Sequence, residues 1–155
     1  MTSNLKQNRQ ISQEKIDKGE YDVFISYNGQ DRPRVIEICE QLKDRGIAPF
    51  LDQWDLQPGR PWQRALEHQI KTVKSAAIFV GEAGMGSWHE KEMYEFELEF
   101  ERRGVPVIPV LLPDISTTSE LPLFLKSMQW VDFRKTDPDP LERLIWGITG
   151  KRPGR

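Results

Sequence analysis

Ala76-Ala77-Ile78-Phe79-Val80 is an unbroken apolar row between Lys74-Ser75 and Gly81. A strand with one face in water alternates polar and apolar residues; a short run without alternation belongs to a strand covered on both faces. That requirement narrows the fold to one with helices above and below a sheet. Four further β-rich runs accompany it: Tyr21-Asp22-Val23-Phe24-Ile25-Ser26, Ile47 to Leu51, Val105 to Leu112, and Gln129-Trp130-Val131-Asp132-Phe133.

Segments of helical period separate these runs. Val35, Ile38, Cys39 and Leu42 recur at one-turn spacing, with Asp31 placed to cap the helix, Pro33 in its first turn and Gly46 at its end. Pro61 opens a second helix carrying Trp62, Leu66, Ile70 and Val73. An acidic third helix turns Met93, Phe96 and Phe100 inward and stops at Gly104. Leu121 to Ser127 has the character of a short helix. Pro138 and Pro140 lead into a last helix with Leu141, Leu144, Ile145 and Ile148, closed by Gly150. Strand and helix alternating in this way imply parallel pairing. The fold expected is a flavodoxin-like three-layer α/β sandwich with a five-stranded parallel sheet. Pro106 and Pro109 predict an exposed segment or distorted pairing in the fourth strand. Residues 1–20, poor in large aliphatics, are expected to form a flexible arm or frayed helix. The domain proper spans 21–150, and 151–155 form a polar tail.

Lys and Arg total 22 against 24 Asp and Glu, a formal charge of −2. This balance argues against a nucleic-acid surface. No apolar run approaches the ~20 residues that cross a bilayer, and the polar N-terminus does not read as a signal peptide, so a cytoplasmic location is expected. A single cysteine, Cys39, excludes an internal disulfide and a cysteine-based zinc cage, and it falls on an apolar helix face, where it should be buried and inert. His68 and His89 lack neighbours at ligand spacing, so no metal site is expected and both histidines read as surface residues.

Ligands of open parallel sheets bind outside the carboxyl ends of the strands. Ser26-Tyr27-Asn28, the Asp52–Gly59 loop and the Gly81–Trp88 loop each follow a strand and should converge there. The sequence has no acidic cluster for a phospho-receiver, no Gly-Lys-Ser/Thr loop, no GxGxxG fingerprint and no GxSxG elbow. It does have Trp88 and Glu92 four residues apart near the start of the acidic helix, hence on one face of it. An aromatic plate beside a carboxylate suits a flat, electron-poor cation. Taken alone the pair is a modest signal. Aromatics chiefly supply core area, and Glu92 stands among Glu90, Glu95, Glu97, Glu99 and Glu101 on what reads as a solvated helix.

A family resemblance sharpens this reading. Tyr21-Asp22-Val23-Phe24-Ile25-Ser26-Tyr27 resembles the opening motif of Toll/interleukin-1 receptor (TIR) domains. Phe50-Leu51-Asp52 followed by Leu56-Gln57-Pro58-Gly59 is similar to their second strand and the long loop after it. Trp88-His89-Glu90-Lys91-Glu92 matches the Trp-x-x-x-Glu pattern of the enzymatic members, and Trp130 with Phe133 resembles their closing box. The likeness covers residues 20–150, in a flavour similar to prokaryotic TIR proteins.

The resemblance implies cleavage of NAD+ between nicotinamide and ribose, with NAD+ as substrate and no separate cofactor. Nicotinamide leaves a cationic ring as a neutral base and needs no general acid; an oxocarbenium-like sugar must be stabilised, which one carboxylate can do. The resemblance then makes Glu92 the catalytic residue. Trp88 would stack on nicotinamide, Trp54, Leu56 and Trp62 would close the pocket, and Ser26, Tyr27 and Asn28 would bind ribose or diphosphate. It also implies homotypic assembly with other TIR domains, in bacterial defence or signalling. Two alternatives stay open: a non-catalytic TIR–TIR adaptor, and a nucleoside glycosidase or transferase on a similar fold.

Overall fold

Alternating side chains along the strands decide the layering. In a pleated strand, successive side chains point to opposite faces, and here both sets are apolar. Val23, Ile25, Ala77, Phe79, Ile108 and Val110 form one core, and Phe24, Phe50 and Ala76 belong to another. The computed structural model describes residues 2–51, 58–59, 62–82, 98–115 and 128–153. Within them lies a five-stranded sheet: β1 (Val23–Ser26), β2 (Pro49–Leu51), β3 (Ala76–Val80), β4 (Val107–Leu111) and β5 (Val131–Asp132). Every pairing is parallel, in the order β2-β1-β3-β4-β5. Phe24 pairs with both Phe50 and Ala76, and Val80 with Leu111.

The helices are α1 (Thr2–Asp17), α2 (Arg32–Lys43), α3 (Trp62–Thr72) and α4 (Pro140–Thr149), and residues 98–103 are also helical. Val35, Ile38, Cys39 and Leu42 of α2, with Leu144 and Ile148 of α4, cover one face of the sheet. Ile70 of α3, Val73 just after it, and Phe100 cover the other. There the rings of Phe24 and Phe50 stack at 5.8 Å, and Tyr21 meets Phe50 edge-on at 5.0 Å. Arg103 ties the two helical segments of this layer together by donating to the terminal carbonyls of Ile70 and Val73 at 2.6 and 2.7 Å. Asp139 caps α4 by accepting from the Leu141 N–H at 3.0 Å, and Gly150 ends the helix in a left-handed conformation, φ 74°. The flavodoxin-like architecture expected from the strand–helix alternation is the one found.

Two expectations change. Pro109 lies buried within β4 and neither exposes the strand nor distorts its pairing with β3, which runs unbroken from Ala76↔Val107 to Val80↔Leu111. Even-numbered positions bond towards β3, as in Ala76 N–H to Pro106 O and Leu112 N–H to Val80 O. Odd-numbered positions face β5, as in Phe133 N–H to Leu111 O. The missing N–H of Pro109 therefore points to the β5 side, where paired residues begin only at Val110↔Val131.

Residues 1–20, read as a flexible arm or frayed helix, contain the helix α1, laid along α2. Arg9 pairs with Glu40 and Asp44 at 2.6 and 2.5 Å, and Ser12 donates to the Lys43 carbonyl at 3.0 Å. Lys15 donates to Asp22 and to the Gly46 carbonyl, both at 3.0 Å. These polar contacts leave Leu5 and Ile11 exposed, so no apolar periodicity marks the packing.

Candidate functional site

The edge where β1 and β3 end is the topological switch point of a 2-1-3-4-5 sheet: α2, which follows β1, covers one face, and Phe100, later in the chain than β3, packs on the other. Ser26 is the last residue of β1 and Gly81 directly follows β3. Between β1 and α2 the chain makes a tight turn. Asn28 accepts from the Gln30 N–H at 3.0 Å and so caps a single 3-10 turn, Gly29–Asp31. This turn holds Ser26, Tyr27 and Asn28 at the carboxyl edge, as their position after the strand implied.

Their surroundings differ. Ser26 is buried, and its hydroxyl has no hydrogen-bond partner. Tyr27 is half-buried against the core, with Arg32 Nη1 3.5 Å from its hydroxyl. Asn28 uses its side-chain oxygen on the turn itself, which fits a role in shaping the loop. Trp54, Leu56, Trp88 and Glu92 lie outside the described residues, as do the side chain of Trp62 and His89. Cys39 is buried and forms no disulfide, and His68 is exposed on α3.

Asp31 was expected to cap α2. It occupies the N-cap position, but its side chain makes no capping bond. Its carboxylate is buried, and Oδ2 has no partner. Gly81 makes the room: a Cβ there would come within 2.5 Å of Oδ1 and 2.7 Å of Oδ2. Burial pushes the Asp31 carboxyl above its ordinary value, and the charge of Asp114, in the turn after β4, adds to the shift, while Arg34 opposes it. The sequence carried no sign of this, since an aspartate ahead of a helix is the ordinary signature of a cap.

At the far end of the sheet, Arg134 grips Asp132 through two bonds of 2.9 Å, and these bonds hold the Asp132 carboxyl below its ordinary value. A separate cleft of about 360 Å³ lies between α2, α4 and the ends of β4 and β5, lined by Arg34, Glu37, Ile38, Phe133 and Leu141. Ser26, Tyr27 and Asn28 do not line it. Among the described residues, no group of acids, histidines or cysteine could hold a metal ion.

A parallel sheet in the order 2-1-3-4-5, covered by helices on both faces, defines an α/β domain of flavodoxin-like architecture. Within that class the chain belongs to the TIR domain family, whose model matches residues 23–145. The fold is similar to the crystal structure of the TIR domain of the Toll-related receptor TRR-2 from Hydra magnipapillata. That match has a TM-score of 0.60 and 21% identity, and covers 83% of this chain and 98% of that one. No curated protein matches the chain. The family contains NAD-cleaving members and non-catalytic adaptors, and its domains associate with one another. No described helix is long and apolar enough to cross a membrane.

Proposed function

We propose that this TIR domain is an NAD+ glycohydrolase of the prokaryotic type, acting in defence or signalling after self-assembly. The observation that carries the reading is the position of Ser26, Tyr27 and Asn28 at the β1/β3 switch point, beside the strand that leads in sequence to Trp88 and Glu92. A dinucleotide laid across that edge would meet donors from the β1 turn on one side and the Trp-x-x-x-Glu segment on the other.

In the proposed reaction the bond from ribose C1′ to the nicotinamide nitrogen breaks, and its electron pair stays on nicotinamide, which departs neutral. Glu92 supports the positive charge that develops at C1′. Water adds to that carbon and loses a proton to solvent, giving ADP-ribose; capture by an adenine nitrogen instead would give a cyclic product. Trp88 stacks on the departing ring, and Trp54, Leu56 and Trp62 close the pocket. Large apolar groups on or beside a loop call for a partner surface, and a second copy of the domain is the partner proposed.

The test is nicotinamide release by wild type and Glu92→Ala, both confirmed folded, at high concentration or on a clustering scaffold. The expected loss is about 100-fold or more, the scale of removing a charge-stabilising group from an active site. Equal turnover in the two proteins removes Glu92 from the mechanism. An inert wild type, even when clustered, would favour the adaptor reading, and turnover of free nucleosides would point to a nucleoside glycosidase.

A further inference from the structure

α1 differs from the other described helices in what holds it. α2 sends Val35, Ile38, Cys39 and Leu42 into the core, and α4 sends Leu144 and Ile148. α1 lies ahead of residues 23–145, the span that matches the family model. Among the described residues only its Ile16, close to the helix end, packs against a core cluster. Its remaining hold is polar: Arg9 on Glu40 and Asp44, Ser12 on the Lys43 carbonyl, and Lys15 on Asp22 and the Gly46 carbonyl. Ile11 lies beside Gly46 yet stays 45% exposed, as Leu5 does. Permanent interfaces are rich in apolar contact, and interfaces that come apart are polar. A helix held in the second way can leave without opening a core.

The connection beside it suits a hinge. Lys18-Gly19-Glu20, all exposed, join α1 to the buried Tyr21. The closed turn bonds the Glu20 N–H to the Lys15 carbonyl at 2.8 Å and the Gly19 N–H to the Ile16 carbonyl at 3.0 Å, and it holds Gly19 at φ 71°. Nothing lies within 4 Å of a Cβ built on Gly19. A side chain there would strain the left-handed backbone of the closed turn without any clash, whereas an opened, extended connection needs no positive φ.

The surface under α1 presents the carboxylates of Asp22, Glu40 and Asp44 and the carbonyls of Lys43 and Gly46, all of them acceptors. A basic helix fits it, and α1 is a segment already shown to match, carried by every copy of the chain. We propose that α1 is an exchangeable arm, which swings out about Gly19 and docks on the α2 of a second copy while that copy returns its own. Exchange of an identical element keeps each ion pair and hydrogen bond of the docked arm; only the hinge and the entropy of association differ from the monomer. The dimer therefore depends on concentration and on the conformation of Gly19. This contact goes beyond the NAD+ reading and does not rest on it.

The experiment compares the whole wild-type chain with Gly19→Val by sedimentation velocity over a range of concentrations. Valine at 19 strains the closed turn and spares the open one, so the dimer should form at concentrations about tenfold lower or less. A charge-reversed pair then locates the contact. Arg9→Glu cannot hold its own Glu40 and Asp44, and the double variant Glu40→Arg with Asp44→Arg cannot hold its own Arg9. Each alone should stay monomeric, while an equimolar mixture should give a heterodimer, because both arms regain opposite charges on the other chain. A mixture that remains monomeric, with the β1 and β3 amides of both variants protected from exchange, overturns the proposal. So does a dimer of either reversed variant alone, which would place the contact elsewhere, and so does a Gly19→Val that associates no more readily than wild type. Gly19→Val alters no contact of the sheet and decides the matter if a charge-reversed variant fails to fold. Nicotinamide release is no part of the readout, so loss of the NAD+ reading would leave this result standing.

Discussion

The carboxylate of Asp31 rests on the backbone of Gly81: a Cβ added at 81 would lie 2.5 Å from Oδ1. The two residues are remote in sequence and follow different strands, and their contact lies at the carboxyl ends of β1 and β3. Gly81→Ala should therefore destabilise the domain by about 1–3 kcal/mol through overpacking alone. Adding Asp31→Ala should recover most of that loss, since it removes the clashing atoms. Urea unfolding of the two single variants and the double variant measures the coupling, and strictly additive effects would contradict the contact.

Asp31 also makes stability depend on pH. Its carboxyl is raised by burial, then by Asp114, against Arg34. The folded state holds this proton more tightly than the unfolded chain, so the stability linked to it is fully present below the ordinary carboxylate pKa. It is lost as pH rises through the raised folded value. Ionised Asp31 thus works against the fold at neutral pH. Asp31→Asn should raise stability there by roughly 1 kcal/mol, with the gain disappearing in acid. Melting temperatures of both proteins from acid to neutral pH test the sign.

Gly147 faces a comparable constraint in α4, which covers the same face of the sheet as α2. A Cβ at this position in α4 would meet Ile108 Cδ1 at 2.7 Å and Cγ1 at 3.1 Å. In an exposed helix, replacing glycine by alanine is favourable by roughly 1 kcal/mol. Here Gly147→Ala should instead cost about 1–3 kcal/mol. Ile108→Val, which deletes the closest methyl, should relieve part of that cost in the double variant. Chemical denaturation of the set checks the reversal of sign.

Asp22 joins three parts of the chain. Oδ2 accepts from the Ala48 N–H at 2.8 Å and from Lys15 at 3.0 Å, and the Asp22 carbonyl accepts from Ser75 at 2.7 Å. Asp22→Ala leaves the Ala48 N–H without its carboxylate and Lys15 with only the Gly46 carbonyl. A loss of about 2–3 kcal/mol is expected. Faster amide exchange throughout α1 should accompany it, and unchanged exchange there would show that Arg9 and Ser12 suffice to hold the helix.

Much of the architecture was legible because it rests on local pattern. The apolar row of β3 required cover on both faces, and the helical stripes of α2 and α4 supplied half of it. Asn28, Gly46 and Gly150 marked turns that occur where the residue types demanded them. The errors arose where the deciding partner is far away in sequence. Pro109 looked disruptive until the register showed that its missing N–H points towards β5 ahead of the first paired residue. The N-terminal segment looked unanchored because ion pairs and side-chain bonds to α2 hold it, which hydrophobic period cannot reveal.

The candidate site divides in the same way. Residue order alone determined that Ser26 ends a strand with Tyr27 and Asn28 after it, and that Trp88 and Glu92 share a helical spacing. Those facts depend only on backbone period and turn chemistry, and they hold before any tertiary contact forms. Only the folded chain could separate the roles within the β1 turn, with Asn28 spent on the turn and Ser26 buried without a partner. Only the fold, likewise, could turn Asp31 from an expected helix cap into a buried carboxylate facing Gly81. The physical reason is that a side chain's burial and partners are set by parallel strands distant in sequence, whereas its place on a strand or helix is set by its immediate neighbours.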